Sequence, residues 1–273
     1  MTIDVSGASM HGPVRSYPAM AAEENRIEPC PRRIRGMLNG MTVFDTTHAL
    51  YVWEWPGYPQ YYVPAPDVRR QFLMAAEASR QELVGGDAVS YDLRVGDVRR
   101  ERAAQVHPTT AETGVAGTVR FDWEALDAWF EEDEEVFVHP RNPYTRVDAL
   151  RSRRHLRVEV AGVVLAETTA PVLLFETGLP TRYYVDRAAV RFEHLRPSDA
   201  RSSCPYKGNT SQYWSAEVDG VVHLDVAWTY DFPTRELTTV AGLVAFFNED
   251  VDLLLDGQPL SRESAPTSSR RTK

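Results

Sequence analysis

The chain contains one segment twice, and a duplication of that length commits it to two domains of the same fold before any element is assigned. Residues 35–91 match residues 157–213 at a constant offset of 122, with 14 of 57 positions identical. The identities include Arg35, Gly40, Glu54, Tyr61, Tyr62, Val63, Arg69, Leu73, Gly86 and Tyr91, each against its partner in the second copy. Further on, Val115-Ala116-Gly117-Thr118-Val119-Arg120-Phe121 matches Val240-Ala241-Gly242-Leu243-Val244-Ala245-Phe246 at an offset of 125, five of seven being identical. The copies diverge most tellingly at Cys204-Pro205-Tyr206-Lys207-Gly208. The first copy has Glu82-Leu83-Val84-Gly85-Gly86 there, so only the second carries a thiol and an amine.

The repeat divides the chain into a flexible arm (1–30), a first repeat (31–138), a linker (139–154), a second repeat (155–260) and a flexible tail (261–273). Each copy is long enough to build its own core. Hydrophobic content of 43% and charged content of 25% are those of a globular protein. The net charge of −9 argues against nucleic-acid or anionic-membrane partners, whose footprint is basic. Acidic residues 131–135 and arginines 146, 151, 153, 154 and 157 read as a solvated linker whose blocks offset each other, with an anion site as the other reading. Two cysteines make no disulfide framework. No signal-peptide core or apolar run of membrane-spanning length is present, which points to the cytoplasm. The built-in duplicate favours a monomer with pseudo-dimeric domains.

β-Branched and aromatic runs dominate. Residues 49–55 and 171–176 end at Pro56-Gly57 and Gly178-Leu179-Pro180, and strands resume at Tyr61-Tyr62-Val63 and Tyr183-Tyr184-Val185. Asp219-Gly220 between two such runs predicts a type I′ hairpin. Strict alternation would then set Tyr213, Val222, Leu224, Val226, Trp228 and Tyr230 on one face, and His223 and Asp225 on the other. The best helix candidate is 122–132, with Trp123, Leu126 and Phe130 on one side and Asp122 as its cap. Each copy thus reads as a mainly β, antiparallel domain with short helical pieces.

Four stretches resemble the domain-of-unknown-function 427 family. They are Phe175-Glu176-Thr177-Gly178-Leu179-Pro180-Thr181-Arg182-Tyr183-Tyr184, Cys204-Pro205-Tyr206-Lys207-Gly208, Ala227-Trp228-Thr229-Tyr230 and Ala241-Gly242-Leu243-Val244-Ala245-Phe246. The resemblance covers both copies, the second more closely. It implies two tandem β-tent-like domains, each with two antiparallel sheets leaning together over a pocket. Similar tents often carry a four-cysteine zinc site, which two cysteines rule out here. A nucleotidyltransferase label travels with the family. It finds no support in these residues: Asp250-Val251-Asp252 follows no Gly-Ser loop, and no phosphate-cradling glycine loop exists.

Cys204 has three readings: a nucleophile, a pocket residue, or a structural turn. A nucleophile needs its thiolate, and Lys207, three residues on, would lower the thiol pKa. Glu176 shares a strand face with Val172 and Leu174, so it needs a partner or a function. Arg182 is its nearest cation in sequence, and Glu54 is its counterpart in the first copy. Tyr183, Tyr184, Tyr206, Tyr213, Trp228 and Tyr230 read as core or as an aromatic wall for a planar ligand. His223 and Asp225 form an incomplete metal pair, so no metal and no cofactor is expected. The leading expectation is a small polar or planar metabolite bound by Glu176, Arg182, Tyr183, Tyr206, Lys207, Trp228 and Tyr230. The first copy is then a degenerate partner, its Trp53, Trp55, Tyr58, Tyr61 and Tyr62 mainly packing. The alternatives are an enzyme using Cys204 and Lys207, and a non-catalytic structural or interaction module.

Overall fold

The computed structural model of the protein describes residues 22–23, 25–83, 86–110 and 114–262, with backbone alone at 76–83, 86 and 87. Most of the expected arm and tail, and part of the Glu82–Gly86 segment set against the Cys204 turn, therefore lie outside the described residues. The chain divides into two compact units. One ends at Thr145 and takes in Ser203–Tyr206; the other holds Arg146–Ser202 and the chain from Lys207 onward.

Both units are mainly β, with one topology used twice. The larger sheet of the first domain has seven strands, in spatial order Ile27–Pro29, Leu50–Val52, Gln60–Pro64, Thr118–Phe121, Val98–Val106, Gly86–Val95 and Leu73–Leu83. The second domain repeats that order with Val147–Arg151, Val172–Glu176, Arg182–Val185, Val244–Phe246, Val221–Thr229, Gln212–Val218 and Leu195–Ser198. A four-stranded sheet completes each domain: Glu134–Val136, Ala128–Glu131, Ile34–Leu38 and Met41–Thr46 in the first. In the second it is Gln258–Pro259, Asp252–Leu255, Leu156–Val160 and Val163–Thr168. Neighbouring strands pair antiparallel throughout. Even the irregularities recur: register shifts at Gly36/Met37 and at Val158/Glu159 stand at matching places. Residue Ile27 of the expected arm and residues 147–151 of the expected linker thus begin the two large sheets.

Between the sheets lie two cores of different composition. Phe44, Phe121, Trp129, Tyr61, Ile34 and Leu38 fill the first. Leu156, Val158, Ala166, Tyr183, Trp214 and Phe246 are among those filling the second. One exchange between the copies is compensatory. A Cβ on Gly36 would lie 2.3 Å from Phe44 Cε1 and 2.6 Å from Leu126 Cδ1. The second copy has Val158 and Ala166 at the positions of Gly36 and Phe44, moving bulk from one strand to its neighbour.

Three expectations are corrected. Residues 122–132 are not a helix: a single 3₁₀ turn, Trp123–Ala125, precedes the strand Ala128–Glu131. Asp122 caps nothing, because its carboxylate engages Arg120. The alternation of buried Trp129 and Glu131, facing Gly36 and Ile34 across the ladder, overrides three apolar residues at helical spacing. Glu131 is buried rather than solvated, accepting hydrogen bonds from Tyr61 Oη and Arg32.

The third correction concerns the Asp219-Gly220 hairpin. Its turn forms as the dipeptide requires, with φ of 50° and 77° and Val218 paired with Val221. The single apolar face does not form. A bulge lies between the Trp214 and Ala216 pairs, and Asp225 has a φ of 53°. Leu224, Asp225 and Val226 stand opposite the single residue Ser215, so Val226 turns into the core with Ala227 while Trp228 and Tyr230 lie on the outer face; Val222 and Leu224 are exposed.

Candidate functional site

The core fills one face of each seven-stranded sheet; the opposite face carries the candidate chemistry. In the second domain one row across that face reads Val172, Tyr184, Ala245, Trp228 and Tyr213, each paired with the next. These residues pack with Leu174, Tyr230, Leu237 and Val240 into a separate apolar cluster. Phe247 meets Trp228 with ring centroids 4.1 Å apart, and the guanidinium of Arg182 lies over both rings, at 5.5 Å from Phe247 and 5.8 Å from Trp228.

Two ion pairs bracket the connection between the strands Val172–Glu176 and Arg182–Val185. At its start, Lys207 Nζ donates to Glu176 Oε2, both side chains being buried. At its end, Arg182 holds Glu249 through two parallel bonds of 2.7 and 2.8 Å. Arg182 is therefore not the partner of Glu176, as proximity in sequence suggests; that partner is Lys207. Within the same bracket, Asn248 Nδ2 donates to the Thr181 carbonyl at 2.9 Å. Thr181 Oγ1 and Asn248 Oδ1 are buried and have no hydrogen-bond partner among the described residues.

The sequence-predicted set does not assemble as one group. Glu176, Arg182, Lys207, Trp228 and Tyr230 belong to the second domain and its outer sheet face. Tyr183 points the other way, into the core between the sheets. Tyr206 groups with the first domain, where its hydroxyl accepts from the Asn142 backbone N–H at 2.8 Å and its ring meets His139. Cys204, a half-buried free thiol, groups with that same unit. The amine expected to act on it is held by Glu176.

The same face of the first domain is built differently. Its row reads Leu50, Tyr62, Arg120, Gln105 and Ser90. Sheet register thus equates Ser90 with Tyr213 and Tyr91 with Trp214, one residue away from the constant sequence offset, because the connection before this strand differs between copies. Arg120 binds Glu54 at 2.9 and 3.2 Å and also engages Asp122 and Gln105. Tyr62 Oη donates to Glu54 at 3.0 Å. The conserved place of the carboxylate therefore has two solutions. Arg120 neutralises Glu54 in the first copy; Ala245 stands at the Arg120 position in the second, and Lys207 neutralises Glu176.

Sequence reasoning passed over Thr181, Phe247, Asn248 and Glu249, and over Ser90, Gln105, His107 and Arg120. The mismatch of Arg120 with Ala245 inside an otherwise matched block was the available signal. Among the described residues no group of three or more His, Cys, Asp or Glu can hold a metal ion, and no helix is long and apolar enough to cross a membrane.

Fold and site define a protein of two tandem antiparallel β domains whose outer sheet faces carry different chemistry. Residues 26–132 and 148–257 each match the family described as Domain of unknown function (DUF427), and the chain belongs to that family as a two-copy member. Comparison with curated proteins returns no match.

Proposed function

We propose that the second domain is a binding module for a small polar or planar metabolite, held at the connection between its strands Val172–Glu176 and Arg182–Val185. The observation that carries this reading is the pair of largely buried ion pairs bracketing one short connection, Lys207 with Glu176 and Arg182 with Glu249. Buried ion pairs contribute little net stability over apolar residues of the same size, so their retention beside an aromatic cluster favours recognition. Lys207 and Arg182 supply cationic donors to a carbonyl or carboxylate of the ligand. Asn248 Oδ1 accepts from a ligand N–H or O–H, and Thr181 Oγ1 serves either role. Trp228, Tyr230 and Phe247 form the wall beneath Arg182. Tyr183 faces the core between the sheets and is left out of this site. The free thiols at Cys30 and Cys204 accord with a reducing, cytoplasmic setting.

A metabolite library screened by thermal shift on the full chain tests the reading. A stabilising ligand is expected to be lost on Lys207→Ala and Trp228→Ala and retained on Cys204→Ser. Lys207→Arg, which keeps the ion pair, separates lost recognition from lost folding. Ligand binding that survives Lys207→Ala and Trp228→Ala, or a library with no stabiliser, would remove the proposal. Loss of turnover on Cys204→Ser in a folded protein would instead favour thiol catalysis.

A further inference from the structure

The first domain, lacking the Cys-Pro-Tyr-Lys-Gly turn, reads from sequence as degenerate, yet its outer sheet face is the more polar of the two. Position by position, Trp228 is replaced by Gln105, Tyr213 by Ser90 and Ala245 by Arg120. Tyr230 is replaced by His107: the Gly117 N–H donates to the His107 carbonyl as the Gly242 N–H donates to that of Tyr230. Four positions that hold an aromatic ring or alanine in one copy thus hold Gln, Ser, Arg and His in the other, and in the aromatic set the Tyr213 hydroxyl is bonded to Ser202.

Such groups are costly to bury unless partnered. Ser90 and His107 are each 1% exposed. Ser90 Oγ and both ring nitrogens of His107 have no hydrogen-bond partner among the described residues. The His107 ring stands beside Tyr62, centroids 5.3 Å apart. Two unpartnered buried side chains on one sheet face call for an explanation beyond packing.

We propose that this face of the first domain is a second binding site, taking a small uncharged molecule that carries both a hydrogen-bond donor and an acceptor, as a primary amide does. The exclusion of charge follows from the neighbours. Arg120 is engaged by Glu54, Asp122 and Gln105, so an anion competes with two carboxylates for it. Glu54 is engaged by Arg120 and Tyr62, so a cation displaces an existing ion pair. A neutral imidazole offers one donor and one acceptor, and the Ser90 hydroxyl offers both. Ser90 lies opposite Gln105, which makes it a diagonal neighbour of His107, at about 7–8 Å. A ligand of a few heavy atoms spans that distance. The proposal stands apart from the second-domain site and uses none of its residues.

The test is an NMR titration of the full chain with acetamide, acetate and acetamidinium, which share one Y-shaped frame and differ in charge. The readout is the Cε1–Hε1 signal of His107, assigned by its disappearance in His107→Tyr, or in His107→Gln if the first does not fold. Acetamide is expected to shift that signal saturably, with at least tenfold weaker responses to the two ions. Ser90→Ala is expected to weaken the acetamide response at least threefold. No shift with acetamide, equal shifts with all three probes, or a wild-type response in Ser90→Ala would each overturn the site.

Discussion

Moving bulk across the first core should reproduce the solution the second copy uses. In Gly36→Val the new Cβ alone would stand 2.3 Å from Phe44 Cε1, and Phe44 is fully buried, so neither group can swing into solvent. The single change should cost about 3 kcal/mol, the top of the usual range for overpacking. Phe44→Ala leaves a cavity and should cost about 4 kcal/mol. Independent effects would sum to about 7 kcal/mol. The double variant carries the Val/Ala pair of the second copy and is short of three carbons overall, which at about 0.8 kcal/mol each is a loss of about 2–3 kcal/mol. The favourable coupling is then about 4 kcal/mol. Hydrogen exchange read by mass spectrometry on peptides from Ile34–Leu38 and Thr118–Phe121 reports the stability of the first domain within the full chain. A double variant that loses the sum of the single effects, within about 0.5 kcal/mol, would refute the compensation.

Two further predictions concern buried charge. Lys207→Met should destabilise the second domain by about 3–5 kcal/mol, because Glu176 stays buried without its cation; adding Glu176→Gln should return it to within about 1.5 kcal/mol of the parent, measured as urea midpoints. Burial holds His107 below its ordinary pKa of 6.5, so its neutral form is the folded one and the unfolded chain binds more protons. The stability this contributes is complete above pH 6.5 and is lost as pH falls through the folded value, at most about 1.4 kcal/mol per pH unit. Exchange of first-domain peptides should therefore accelerate between pH 6.5 and 5, and His107→Tyr should remove that component of the pH dependence.

Much of the architecture was legible in the sequence because it depends on local chemistry and on repetition. Matching blocks at offsets of 122 and 125 establish two domains of one fold. Asp219-Gly220 determines its turn because few residues other than glycine, asparagine and aspartate accept positive φ. Strand placement at Tyr61-Tyr62-Val63 and Tyr183-Tyr184-Val185 follows from β-branched and aromatic content. The placement of Glu176 on one face with Val172 and Leu174 follows from the period of two.

Tertiary structure decided what passes between strands distant in sequence. Proximity along the chain offered Arg182 to Glu176, whereas folding brought Lys207 from 31 residues away and gave Arg182 to Glu249, 67 residues on. The bulge at Asp225 sent Val226 into the core and left Trp228 and Tyr230 on the outer face, although a regular strand would have put all three on one face. Sheet register moved the true partner of Tyr91 from Tyr213 to Trp214. Charge pairing, bulge placement and register depend on which atoms meet through space. A linear pattern specifies which residues a strand offers, but only packing selects the ones that come into contact.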